Sequence, residues 1–350
     1  MKELAQYCGV SVATVSKALN DQRDIGESTK IRIKNAAGKL GYYPNAAARS
    51  LKTNRSYNIG VLFVDKANSG LTHEYFAAVL EGFKVEAEKQ GYDITFINSQ
   101  IGKKKVSYYD HCKYRNLDGV VIACVNFDNP EVIDLLGGDI PVVTIDHIHE
   151  NCSSILSDNI KGIQCLMEYI YENGHRRIAY IHGQMNSAVT KARLTSFYRF
   201  MESHNLHIPD KYVLEAAYLD VGRAMAYTRD LLDRRDPPTC ILYQDDTALI
   251  GGLNEMRVRN LRIPEDISIA GYDGNRISQL LNPKLTTVRQ DTAAIGMKAA
   301  KKINKHHRKT QDNFYRTDHC GSRAAKGGIG WKSKYLTEPS RGADCEYPLD

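Results

Sequence analysis

From Ile59 onward, short apolar runs alternate with amphipathic helical segments. That alternation restricts this part of the chain to parallel sheets covered by helices on both faces. The strand-like runs are 59–64, 93–97, 119–123 and 141–145, then 177–181, 240–243 and 267–270. Helical periodicity fills the gaps, as in 75–90, 160–173 and 247–257. Ligands of such sheets bind outside the carboxyl ends of the strands. Polar and aromatic groups at those ends are therefore the candidate binding residues. Arg193, read as the start of a helix, offers a fork of donors to hydroxyls or a carboxylate. Asp146 and Asp273 each end a strand, and Asp273 can accept from paired hydroxyls. Gln244 and Gln290 add amide pairs, and Tyr75-Phe76 provides rings on which a sugar or base could stack. Core packing is the competing role for those two rings.

The first 58 residues have a different character. They carry ten Lys/Arg against four Asp/Glu, whereas residues 59–300 carry 26 against 31. A compact basic module ahead of a mildly acidic body fits an electrostatic footprint for phosphates. Its pattern is specific. A short helix from Lys2 to Cys8, with Leu4 and Ala5 inward, meets a tight break at Gly9-Val10-Ser11. Ser11 is a good N-cap for a second helix from Val12 to Asn20, with Val15, Ala18 and Leu19 on its buried face. A third helix, about 28–40, brings Ile31, Ile33, Ala36, Ala37 and Leu40 to a small core, and Gly41 ends it. This is the helix-turn-helix plan, whose second helix enters the major groove N-terminus first. Ser11, Val12, Ala13, Thr14, Ser16 and Lys17 are then the candidate DNA contacts. The methyl groups of Val12 and Ala13 suit a thymine methyl, and Lys17 suits a guanine edge or a phosphate. The linker Tyr42–Lys52 has enough alanine to become helical when ordered, yet is too short to be stable alone.

Three runs at fixed spacing carry a resemblance: G-V-S-V-A-T-V-S-K-A-L-N (Gly9–Asn20), L-G-Y-Y-P-N-A-A-A-R-S-L (Leu40–Leu51) and N-I-G-V-L-F (Asn58–Phe63). Together they resemble the lactose/galactose repressor (LacI) family. The body continues it with S-D-N at 157–159, N-G-H-R-R-I-A at 173–179, A-R-L-T-S-F at 192–197, I-P-E-D-I-S-I-A-G-Y-D at 263–273 and L-T-T-V-R-Q-D at 285–291. The resemblance implies a helix-turn-helix domain (1–43), a hinge helix and linker (44–58) and a two-lobed, periplasmic-binding-protein-like α/β effector domain (59–303). Lobe one would comprise about 59–157 and 288–303, and lobe two about 158–287. It further implies a homodimer on a pseudo-palindromic double-stranded DNA operator. The paired hinges would sit in the minor groove, with Asn45 at the hinge start and Leu51 wedged into a base step. The effector, most simply a sugar or sugar phosphate and otherwise a nucleobase, would lie between the lobes, clamped by Arg193 and Asp273. Two positions depart from the family: the first turn of helix one is shortened, and Gly26 stands where a Ser or Thr usually caps helix three.

Other classes find less support. No run of 18 apolar residues is present, and the N-terminus lacks the basic head and apolar stretch of a signal peptide, so a cytoplasmic location is expected. A solute-binding protein of a transport system would share the body but not the basic N-terminal module. No H-E-x-x-H, G-x-S-x-G or G-x-x-x-x-G-K occurs, so no catalytic constellation, cofactor or metal is expected. Asp245-Asp246 reads as a helix N-cap rather than a metal site. Eight scattered cysteines without a C-x-x-C pair read as reduced thiols. From Asn304 to the end, only Phe314, Ile329, Leu336 and Leu349 are Leu, Ile, Val, Phe or Met. That tail reads as irregular, disordered or frame-altered. A regulator inactivated by this altered C-terminus is the remaining alternative.

Overall fold

The structure, a computed structural model, describes residues 1–43, 50, 55–65, 69–308, 317–320 and 322–325. Three helices, α1 (Lys2–Cys8), α2 (Val12–Leu19) and α3 (Glu27–Lys39), form the N-terminal unit. Their core is Leu4, Ala5, Cys8, Val15, Ala18, Ile33, Ala36 and Ala37. Gly9, at φ 61°, ends α1 in the left-handed region, where glycine has no Cβ penalty. Ser11 caps α2 by accepting from the Thr14 N–H at 3.0 Å. Ile31 and Leu40 do not join this core; they are 58% and 46% exposed. The buried stripe of α3 runs through Lys30, Ile33, Ala36 and Ala37, and Ile31 lies about a quarter-turn away from it. Gly26 caps α3 without a side-chain hydrogen bond.

The body contains two six-stranded sheets. In chain order the first lobe supplies β1 (Asn58–Phe63), α4 (Glu74–Lys89), β2 (Asp93–Phe96), a hairpin β3 (Gln100–Ile101) and β4 (Lys104–Lys105), α5 (Tyr108–Tyr114), β5 (Gly119–Ala123), α6 (Pro130–Leu136), β6 (Val142–Ile145) and β7 (Ser153–Ser157). The second lobe supplies α7 (Asn159–Glu172), β8 (Ile178–His182), α8 (Ala188–Ser203), β9 (Val213–Glu215), α9 (Val221–Leu232), β10 (Cys240–Tyr243), α10 (Asp246–Val258), β11 (Ser268–Asp273), α11 (Arg276–Leu280) and β12 (Thr286–Gln290). The chain then returns to lobe one as α12 (Thr292–Arg308) and ends its described part with β13 (Thr317–Cys320) and β14 (Ser322–Ala325). The sheet orders are β13-β7-β6-β5-β1-β2 and β14-β12-β11-β10-β8-β9. All pairings in these sheets are parallel except β12 with β14.

Both faces of each sheet are covered, as the near-continuous apolar strands require. In lobe one, Val79 and Phe83 of α4 and Ile295 and Ile303 of α12 pack on one face, while Cys112, Val132 and Leu135 of α5 and α6 cover the other. In lobe two, α9 and α10 cover one face and α7 and α8 the other. Three crossings join the lobes. β7 ends at Ser157 and α7 begins at Asn159; β12 ends at Gln290 and α12 begins at Thr292; β13 ends at Cys320 and β14 begins at Ser322. One residue separates the elements at each crossing. At the first two, Asp158 and Asp291 accept from the Lys161 and Ala294 N–H groups and so cap the helix that follows.

Two expectations change here. The second crossing lies at Asp291 rather than near 288, because β12 pairs with β11 through Arg289. The tail is not irregular throughout: α12 runs to Arg308, β13 pairs with β7, and β14 pairs with β12. Backbone pairing needs no apolar side chains, so a search for Leu, Ile and Val passes over such edge strands. Residues 326–350 lie outside the described residues.

Candidate functional site

The turn of helix α2 presents its N-terminal end outward. Ser11, Val12 and Ala13 are exposed, Thr14, Ser16 and Lys17 are half-buried, and Val15 and Ala18 are sealed in the core. The six candidate DNA contacts therefore lie along the accessible side of one helix, from its N-cap Ser11 to Lys17 in its last turn. Ser11 and Thr14 are also bound to each other, Oγ to Oγ1 at 2.9 Å. The Lys17 ammonium is paired with the Asp24 carboxylate. Asn45 and Leu51 lie outside the described residues. Just beyond them the linker is pinned to lobe one: Asp118 accepts from the Ser56 and Tyr57 N–H groups at 2.8 and 3.0 Å, and the Arg55 guanidinium lies 5.0 Å from the Tyr57 ring centre.

Between the lobes lies a cleft of about 510 Å³, walled by the carboxyl ends of strands from both sheets. Tyr75, Phe76 and Asp146 face it from lobe one, and Arg193, Asp273 and Gln290 from lobe two. Cys124, Asp146 and Asp273, which follow or end β5, β6 and β11, all adopt positive φ (55°, 57° and 103°). Non-glycine residues held there are strained and cluster at binding sites. Asp146 is fixed by the Tyr75 hydroxyl, which donates at 2.6 Å, and by the Ser157 N–H at 3.1 Å. Arg193 lies in the second turn of α8 rather than at its start. It donates from Nε to Asn159 Oδ1 at 2.8 Å and from Nη1 to the Gln244 carbonyl at 2.9 Å. Its Nη2 is 3.7 Å from Asp273 Oδ1, and its plane lies 3.4 Å from the Tyr272 ring centre. Gln290 Nε2 donates to Asp273 Oδ1 at 2.7 Å.

Burial raises the carboxyls of Asp146, Asp245 and Asp273 above the ordinary range. For Asp273 the result is about 7: burial dominates, Arg193 pulls it down, and Asp245 and Asp146 push it up. Burial also pushes His73 and His147 below the usual imidazole value.

Gln244 is not part of the wall. It is fully buried, and its Nε2 donates to the Ala217 carbonyl at 2.9 Å, so it holds the turn behind Arg193. Phe76 contributes an edge to the cleft but is otherwise core, stacked on Phe63 at 3.8 Å. The sequence reading missed Tyr218, Phe127 and Asp245 as wall residues. Asp245 does cap α10, accepting from the Ala248 N–H at 2.7 Å, and also from the Leu219 N–H at 2.9 Å. Its side chain reaches the cleft because a cap at a strand's carboxyl end lies where the strand ends meet the cavity, and it is fully buried there. Tyr218, bonded to Thr190, comes from a loop with no periodicity to flag it. Among the described residues no group of His, Cys, Asp and Glu is arranged to hold a metal, and no helix is long and apolar enough to cross a membrane.

Comparison with known proteins matches this architecture. Residues 1–45 fit the model of bacterial regulatory proteins of the lacI family, and residues 167–314 fit that of a periplasmic binding protein-like domain. The HTH-type transcriptional repressor PurR of Vibrio vulnificus is 30% identical over 304 residues, spanning 85% of this chain and 89% of the relative. Among solved structures, the lac repressor dimer bound to operator and the anti-inducer ONPF superposes with a TM-score of 0.76 at 21% identity, over 93% of this chain and 97% of that one. A LacI family transcriptional regulator from Enterococcus faecium with bound ribose superposes at 0.66, also at 21% identity, over 79% of this chain and 100% of that one. A basic helix-turn-helix module, two lobes around a polar cleft and a relative at this identity over most of both chains have one reading: the chain belongs to the lacI family of bacterial regulatory proteins.

Proposed function

We propose that this protein is a dimeric transcriptional repressor whose hold on a pseudo-palindromic operator is set by a small sugar-like molecule in the inter-lobe cleft. The observation that carries this reading is the cleft itself. Its wall is shared by both lobes, so a ligand that fills it has different contacts in the open and closed arrangements. Such differential contact is what shifts a two-state equilibrium. Arg193, Asp146, Asp273 and Gln290 supply the polar contacts, and Tyr75 orients Asp146. A further bond ties the lobes together: the Arg276 N–H at the start of α11 donates to Glu74 at the start of α4. Lobe one in turn grips the linker through Asp118, so a change in lobe orientation reaches the DNA-binding end through a fixed joint. The test is binding to a pool of pseudo-palindromic duplexes followed by anisotropy, with and without a panel of sugars. Specific binding that one ligand alters establishes the reading. Binding that is blind to sequence and steep in salt removes it, because that is the signature of a basic module on phosphates alone.

A further inference from the structure

The cleft is rich in carboxylates and poor in cations. Among the described residues that line it, five are aspartates, Asp65, Asp128, Asp146, Asp245 and Asp273, and Arg193 is the single cation. Arg193 is already engaged by Asn159, the Gln244 carbonyl and Asp273. Asp146 and Asp245 receive only neutral donors: the Tyr75 hydroxyl and Ser157 N–H for one, the Leu219, Thr247 and Ala248 N–H groups for the other. His73 and His147, both pushed toward the neutral form by burial, do not offset them. A second observation concerns an amide oxygen rather than a carboxylate. Gln290 is 5% exposed, its Nε2 is used by Asp273, and its Oε1 is buried without a hydrogen-bond partner beside the cavity. A buried acceptor left this way calls for a donor, and none of the described residues provides it.

We propose that the effector is an organic cation, a hydroxylated or ring-bearing molecule with a protonated amine, held by Asp146 of lobe one, Asp273 of lobe two and Gln290 Oε1. This rests on the cleft being the effector site and narrows its ligand. The aspartates come from opposite lobes and repel one another while the cleft holds no cation besides Arg193. A bound ammonium converts that repulsion into a bridge and draws the lobes together. A phosphorylated ligand would meet the same carboxylates as a like charge, which buried sites tolerate poorly.

The experiment uses three probes of similar size and no stereochemistry: tris(hydroxymethyl)methylammonium, neutral pentaerythritol and anionic 2,2-bis(hydroxymethyl)propionate. Each is titrated into the full-length protein just above neutral pH, followed by NMR and calorimetry. The ammonium is expected to bind about tenfold or more tightly than pentaerythritol, with the anion weakest. Asp146→Asn combined with Asp273→Asn should abolish that ranking. If this double variant does not fold, the ranking on the parent protein still decides. Equal or weaker binding of the ammonium, or no binding by any probe at high millimolar concentration, overturns the assignment. Operator binding is measured in parallel with neutral sugars and their amino counterparts. A neutral sugar that acts as well as its amine keeps the cleft as effector site and overturns the charge. No response to either class removes the effector reading itself.

Discussion

Lys17, proposed as a DNA contact, is already paired inside its own domain. Its ammonium is paired with Asp24, and that contact holds the Asp24 carboxyl below its usual value. Asp24→Asn should therefore tighten operator binding, while Lys17→Ala should weaken it by about 1–3 kcal/mol. Anisotropy titrations at several salt concentrations check both, and a phosphate role for Lys17 should lower the salt slope by about one. In the cleft, Arg193→Lys keeps a charge but loses the fork that joins Asn159, Gln244 and Asp273. The expected outcome is retained operator binding without ligand, loss of the effector response, and a lower unfolding midpoint. Strand-end aspartates were legible in the sequence because a strand end fixes where a side chain points. Gln244 and Gln290 show the limit of that logic. Both are amides at strand ends, yet Gln244 turns inward to the Ala217 carbonyl and Gln290 reaches the cavity. The loop carrying Ala217 decides between them, and no local pattern announces it.

At the scale of elements, α4 and α12 make a joint with backbone in direct contact. A Cβ on Gly296 would lie 2.1 Å from the Val79 carbonyl oxygen and 2.4 Å from the Phe83 nitrogen, and one on Gly82 would lie 2.6 Å from the Ala293 carbonyl oxygen. Two glycines thus let the helix backbones touch, and the obstacle is backbone rather than a movable side chain. Gly296→Ala should cost about 1–3 kcal/mol through forced separation of the helices. Denaturant unfolding measures it, with operator affinity of the folded fraction unchanged. The apolar strands of both sheets were read from sequence to within a few residues, since a strand buried on both faces must be apolar throughout. β7 was not read, because Ser153-Ser154-Ile155-Leu156-Ser157 buries hydroxyls. Ser154 and Thr144 satisfy one another at 2.9 Å, a contact between strands that no single segment reveals. The exposed Ile31 is the opposite case, an apolar residue on the wrong side of an otherwise correct helix.

For the whole molecule, the buried carboxylates set an unusual pH response. The Asp273 carboxyl titrates at about 7 in the folded state, above its ordinary value near 3.8, so ionisation is resisted by the fold. A raised acid contributes no penalty below the ordinary value, and its destabilisation grows as pH rises to about 7 and is complete above it. Asp273→Asn should therefore gain stability relative to the parent as pH is raised from about 5 to about 8, on the order of 2 kcal/mol or more. Thermal unfolding of both proteins across that range tests the sign. The third crossing has a mechanical meaning of its own. β13 and β14 belong to different sheets, with a single residue between Cys320 and Ser322. One residue spans about 3.5 Å when fully extended. At that edge the sheets cannot draw apart, and the other two crossings are equally brief. Opening is therefore expected to be a rotation about three short tethers, in which the mouth of the cleft sweeps more widely than its floor. A ligand at the floor gains little from closure by itself; one that also reaches the rim works on the long arm of the lever.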